Sequence, residues 1–180
     1  VTFTWTYTAG ATGTLVLTTT VTAADANTGA TLSAPPVVAG PVTIQTPAIL
    51  AASLAVSRAT CNTGQDFLVM LTVTNTGGAV AAGVTVAGAP VRSGPGNATA
   101  GATPAGLPVV LGIGASATFT WTYTGSAAGA VWYTMTVGGT DTLLGVPVAA
   151  PPAVSGPVVI QTPAPLVART TVTTAATMPP

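Results

Sequence analysis

Residues 116–137 read SATFTWTYTGSAAGAVWYTMTV. From 118 to 124 every second residue is threonine, and the residues between are Phe119, Trp121 and Tyr123. A side-chain period of two puts the aromatics on one face of a β-strand and the hydroxyls on the other. Burying three aromatics of ~150–250 Å² each, at ~25 cal/mol per Å², supplies on the order of ten kcal/mol, so the aromatic face is read as core. Threonine, β-branched and polar, suits the half-exposed outer face. Beyond the glycine turn the alternation resumes, with Val131, Tyr133 and Met135 on one side and Trp132, Thr134 and Thr136 on the other. In that register Trp132 points outward, either a candidate contact to another domain or subunit or a side chain covered by a loop of its own domain.

The same pattern extends through the chain. Phe67, Val69, Leu71 and Val73 share one face of an earlier strand. Strands are predicted near 53–58, 66–75, 83–87, 108–111, 116–124, 130–137 and 157–162, and no helical period of 3.6 is sustained anywhere. Turn signals separate them: Asn62-Thr63-Gly64, Thr76-Gly77-Gly78, Ser93-Gly94-Pro95-Gly96, the glycines after Leu111 and Thr124, and the two-proline segments. Short strands at this spacing predict an all-β chain of immunoglobulin-like β-sandwich type.

TFTWTYT occurs at 2–8 and again at 118–124, and GPVTIQTPA at 40–48 returns as GPVVIQTPA at 156–164. Both recurrences, Thr2 to Thr118 and Gly40 to Gly156, are offset by 116 residues. Asp25 and Asp141, Gly29 and Gly145, and Pro35-Pro36 and Pro151-Pro152 keep that offset without a gap, and about half of the aligned positions are identical. The chain therefore carries one complete repeat and one partial one. Residues 51–166 form the complete period, and 1–50 match only the second half of a period. The tail, 167–180, takes the place of a further repeat's first strand, with Leu166 and Val172 falling on Leu50 and Val56.

The segments SLAVSRATCNTGQDFLVMLTVTNTGGAVAAGVTV and IGASATFTWTYTGSAAGAVWYTMTVGGTD resemble the bacterial surface repeats grouped as DUF11-like or CARDB-like domains. The resemblance covers 51–166 and, in its second half, 1–50; TGQDFLVMLTVTNTGG and GASATFTWTYT are its most specific parts. It implies an immunoglobulin-like sandwich strung in tandem in secreted or cell-surface bacterial proteins. It brings no catalytic residues with it. Cys61 stands where such repeats more often carry an aliphatic residue.

Composition points the same way. Three arginines, three aspartates and no lysine, glutamate or histidine leave 3% charged residues, against the roughly 25% usual in soluble domains. Hydroxyls must then meet the water. With a net charge of zero and no basic patch there is no electrostatic footprint for nucleic acid. The apolar runs are far shorter than the ~20 residues that insert across a membrane. VTFTWTYT at the start has none of the charged or apolar regions of a signal peptide, so the chain is expected to be mature or an excerpt. Low net charge removes repulsion between copies and favours association.

For catalysis the side chains on offer are Asp25, Asp66, Asp141, Cys61 and three tyrosines. No triad, paired-carboxylate site or Schiff-base lysine can be assembled from them. Calcium and zinc sites need clusters of carboxylates, cysteines or histidines that are lacking here, so neither a metal nor an organic cofactor is expected. The aspartates read as turn residues bonding their own backbone. Cys61, the only cysteine, has no partner within the chain and reads as a small buried hydrophobe, the alternative being an intermolecular bridge. Asn97-Ala98-Thr99, in a Gly-rich turn, is a candidate glycosylation sequon.

Residues 1–50 are expected to supply about three strands whose Phe3, Trp5 and Tyr7 face has no opposing sheet. Such a face calls for completion by other strands. The sequence thus predicts an extracellular or cell-surface structural protein and no enzyme. It would build a filament, stalk or surface layer, either as one long repeat chain or from copies of itself joined head to tail through Phe3, Trp5, Tyr7, Val172 and Trp132, with the tail as candidate donor strand. The alternative is an adhesin or carbohydrate-binding module, with glycans or other surface proteins as partners and Trp132 and loop 93–103 as its binding elements.

Overall fold

The computed structural model of the chain describes residues 2–101 and 104–173. It is all-β: seventeen strands in several sheets, and no helix among the described residues. The first four are β1 (Gly13–Thr19), β2 (Thr22–Ala24), β3 (Thr31–Ser33) and β4 (Val37–Ile44). Next come β5 (Leu50–Val56), β6 (Thr60–Asn62), β7 (Asp66–Asn75), β8 (Ala81–Val86), β9 (Val91–Ser93), β10 (Asn97–Ala100) and β11 (Val109–Leu111). The rest are β12 (Ser116–Ala127), β13 (Gly129–Met135), β14 (Val137–Asp141), β15 (Pro147–Ala149), β16 (Ala153–Val154) and β17 (Val158–Gln161).

Strands β10-β12-β7-β5 form one antiparallel sheet. The layer facing it is organised around β13 and β14, which follow one another with only Thr136 between. β13 pairs with β9, β16 and β17, and β17 with β6; β14 pairs with β8 and β15, and β8 with β11. The two layers meet through their aromatics: Tyr133 lies 4.5 Å from Tyr123 and 6.1 Å from Phe67, centroid to centroid. Alternation produces the core. Phe67, Val69, Leu71 and Val73 on β7, Phe119, Trp121 and Tyr123 on β12, and Val131, Tyr133 and Met135 on β13 are all buried. Every buried apolar side chain among the described residues lies between Ala48 and Ile160.

The outer face of the β7/β12 pair is the expected hydroxyl surface. Thr72 faces Thr118 at 3.2 Å, Thr74 faces Ser116 at 2.7 Å, and the Thr124 hydroxyl donates to Asp66 at 2.6 Å. Such cross-strand pairs contribute ~0.2–1 kcal/mol each, and they tie an almost uncharged face together.

Several boundaries differ from the sequence reading. The strand expected at 53–58 begins three residues earlier, because Leu50 already pairs with Asn75. The run expected as one strand over 130–137 breaks at Thr136, where the chain passes from β9 to β8 as neighbour. Asn97 is exposed but is not in a turn: it opens β10 opposite Ala127. The greatest departure is at 2–8. This heptapeptide is identical to 118–124 yet forms no strand, because β12 owes its extension to β7 and β10 on its flanks and 2–8 has neither.

Candidate assembly interface

The carboxylates are not brought together. Asp66 lies at one end of β7, opposite Thr124, whereas Asp141 sits at the other end of the facing layers, opposite Ala81. Asp141 closes its own turn, its Oδ1 accepting the Leu143 and Leu144 amides at 2.7 and 2.9 Å. Its Oδ2 reaches out of the turn and accepts the buried Ala48 amide at 2.6 Å. Hydrogen bonds from Ala48, then Leu144 and Leu143, hold its carboxyl below the ordinary aspartate range against the opposing effect of desolvation.

That bond belongs to a clamp on the segment leading into the complete unit. The Ile49 amide donates to the Asn75 carboxamide oxygen at 3.3 Å, the Thr76 amide to the Ile49 carbonyl at 2.8 Å, and the Gly78 amide to the Pro47 carbonyl at 3.2 Å. Gly77 and Gly78 let the chain approach so closely: a methyl at Gly77 would land on the Pro47 carbonyl oxygen, and one at Gly78 on the Thr46 hydroxyl. Asn75 is fully buried, and its amide nitrogen donates to the carbonyls of Ala79 at 2.7 Å and Leu111 at 3.1 Å. The sequence reading missed this residue. Its signal was an asparagine ending an apolar strand just before Thr-Gly-Gly.

The far end is equally defined. Gln161, the last residue of β17, accepts the Thr63 amide, and the Gly64 amide donates to Gly125, beyond the Asp66 end of β7. The polypeptide thus enters the complete unit beside Asn75 and leaves it near Asp66. The ten residues of β7, at ~3.4 Å each, separate these points by about 30 Å.

Strands β1–β4 reproduce, at the 116-residue offset, the register in which β13 pairs with β16 and β17 and β14 pairs with β15. Gly13 pairs with Ile44 as Gly129 does with Ile160, Thr19 with Val37 as Met135 does with Ala153, and Thr22 with Ser33 as Gly138 does with Ala149. Asp25 repeats the turn of Asp141, its Oδ1 accepting the Asn27 and Thr28 amides at 2.8 and 2.9 Å. These bonds, Thr28 first, lower its pKa too. The Thr28 hydroxyl adds to that lowering, and among the described residues no amide from outside the turn reaches this carboxylate as Ala48 reaches Asp141.

The outcome for packing is opposite. Phe3, Trp5 and Tyr7 are about 60% exposed (61%, 60% and 62%). They line grooves with Leu15, Leu17, Val37, Val42 and Ile44. The counterparts Val131, Tyr133, Ala153, Val158 and Ile160 are buried.

The remaining candidates fall elsewhere. Trp132 is 38% exposed, pairs with Ser93, and rests its ring against Gly94. Asn97 lies in β10, the edge strand of the β10-β12-β7-β5 sheet. Val172 is exposed in a tail segment without strand structure; 174–180 lie outside the described residues, as does Thr103 of the loop 93–103. Cys61 is buried in β6, and that burial, opposed by Arg58, raises its thiol pKa. No group of three or more His, Cys, Asp or Glu side chains lies together among the described residues. No protein-family model matches the chain, and no curated protein matches it significantly.

Proposed function

We propose that this chain is structural material: tandem immunoglobulin-like β-sandwiches joined end to end in an extracellular bacterial filament, stalk or surface layer, with no catalytic role. The observation that carries the reading is the roughly 30 Å separation of the points where the polypeptide enters and leaves the complete unit, estimated from β7. A repeat whose ends lie at opposite poles strings into a linear array, whereas adjacent ends would fold the array back on itself. The clamp of Asp141, Asn75 and the two glycines on Thr46 to Ile49 fixes the connection where one repeat meets the next. The outer face, held by hydroxyl pairs, presents little charge to keep neighbouring arrays apart.

Electron microscopy of the native material tests this reading. Unbranched fibres or an ordered layer are expected, and dispersed single particles would refute it. A second reading, a carbohydrate-binding module, is favoured by Trp132, an aromatic 38% exposed on the outer face of β13. Glycan-array binding abolished by Trp132→Ala would support that reading.

A further inference from the structure

We propose that the open face of residues 2–44 is a docking surface for the front part of another repeat, a polypeptide with the sequence of 46–115, keyed by Asp25. The inference rests on the tandem reading and names the partner of its incomplete unit. Internal symmetry identifies the occupant. The grooves along Phe3, Trp5 and Tyr7 are lined by the counterparts of side chains that, in the complete unit, share one buried core cluster with residues of β5, β7, β8 and β11.

The chain's own front part cannot serve. In a unit of the observed architecture Gln45, the counterpart of Gln161, and Leu50 lie at opposite ends, about 30 Å apart. Five residue steps reach at most ~18 Å. The tail alone is also insufficient. Its residues 166–172 correspond to β5, which pairs only with β7, whereas the aromatic strand needs β7 and β10 as neighbours. A second copy of the front part supplies both. It also brings a Thr-Pro-Ala whose alanine amide meets the Asp25 carboxylate from outside its turn, as Ala48 meets Asp141.

The test extends the full chain at its N-terminus with a second copy of 45–116 and follows backbone hydrogen exchange. In the unextended chain 2–8 should exchange freely while 118–124 is protected. In the extended chain protection of 2–8 should rise at least ~100-fold, because strand formation couples it to global unfolding. Asp25→Asn keeps the Oδ1 turn and removes the second acceptor, so it should lower that protection roughly tenfold and leave the unextended chain unchanged. Fluorescence supplies an independent readout: the Trp5 contribution, taken as the difference from Trp5→Phe, should shift to the blue only in the extended chain. An extended chain that leaves 2–8 unprotected overturns the docking even if it forms filaments. Protection without filaments upholds the docking and counts against the filament reading alone. Concentration-dependent protection of 2–8 in the unextended chain, lost on deleting 167–180, would make the tail the occupant and overturn the proposal.

Discussion

The heptapeptide TFTWTYT occurs twice in one chain, so the same substitution can be made in two environments. Trp121 is 1% exposed and Trp5 is 60% exposed. A fully buried tryptophan removes ~200 Å² from water, worth about 5 kcal/mol at ~25 cal/mol per Å², and tryptophan-to-alanine changes in cores cost ~3–5 kcal/mol. For a unit of this size each kcal/mol moves the melting temperature by about 4 °C. Trp121→Ala should therefore lower the unfolding midpoint of the complete unit by roughly 12–20 °C. Trp5→Ala, a change at an exposed site, should stay within ~0.5 kcal/mol, or about 2 °C. Both follow from thermal and urea unfolding of the full chain monitored by circular dichroism. Equal losses for the two variants would refute the assignment of one copy to a closed core and the other to an open face. So would a loss below about 1 kcal/mol at Trp121, far under the cavity cost of a buried tryptophan.

Two buried tyrosines should differ. Tyr123→Phe removes the hydroxyl that donates to the Pro90 carbonyl at 3.1 Å and should cost about 1 kcal/mol, whereas Tyr133→Phe removes a buried hydroxyl without a partner among the described residues and should be neutral or slightly stabilising in urea titrations. Gly77→Ala should destabilise the complete unit by ~1–3 kcal/mol through collision with the Pro47 carbonyl, read as a lower unfolding midpoint. The Asp141 carboxyl, held below its ordinary pKa chiefly by the Ala48 amide, contributes stability that is present above the unfolded-state pKa and lost as pH falls through the folded one. Acid unfolding should therefore steepen below about pH 4, and Asp141→Asn should lower the midpoint at neutral pH and flatten that acid limb.

The architecture was legible where alternation is strict. Phe67 to Val73 and Phe119 to Tyr123 could be placed on a core face from sequence, and β7 spans the predicted 66–75. Strands β9 and β10 were hidden, because Ser93, Gly94, Pro95, Gly96 and Asn97 read as a turn and only pairing with β13 and β12 extends the chain there. Propensity misled at 2–8, where a good strand sequence lacks both neighbours. The unpartnered aromatic face was legible from the 116-residue offset. The Asp141–Ala48 bond was not, because it joins residues 93 apart that only the folded layers bring together.

The most direct test of the end-to-end account is the axial repeat of the native material, measured by fibre diffraction or cryo-electron microscopy. A unit about 30 Å long, followed by the short connection from Gln161 to Leu166 of at most ~18 Å, predicts one repeat every ~30–50 Å along the axis. A regular spacing in that range, one per 116 residues, is the expected result. Fibres with no spacing in that range, or units lying side by side rather than in line, would contradict the account.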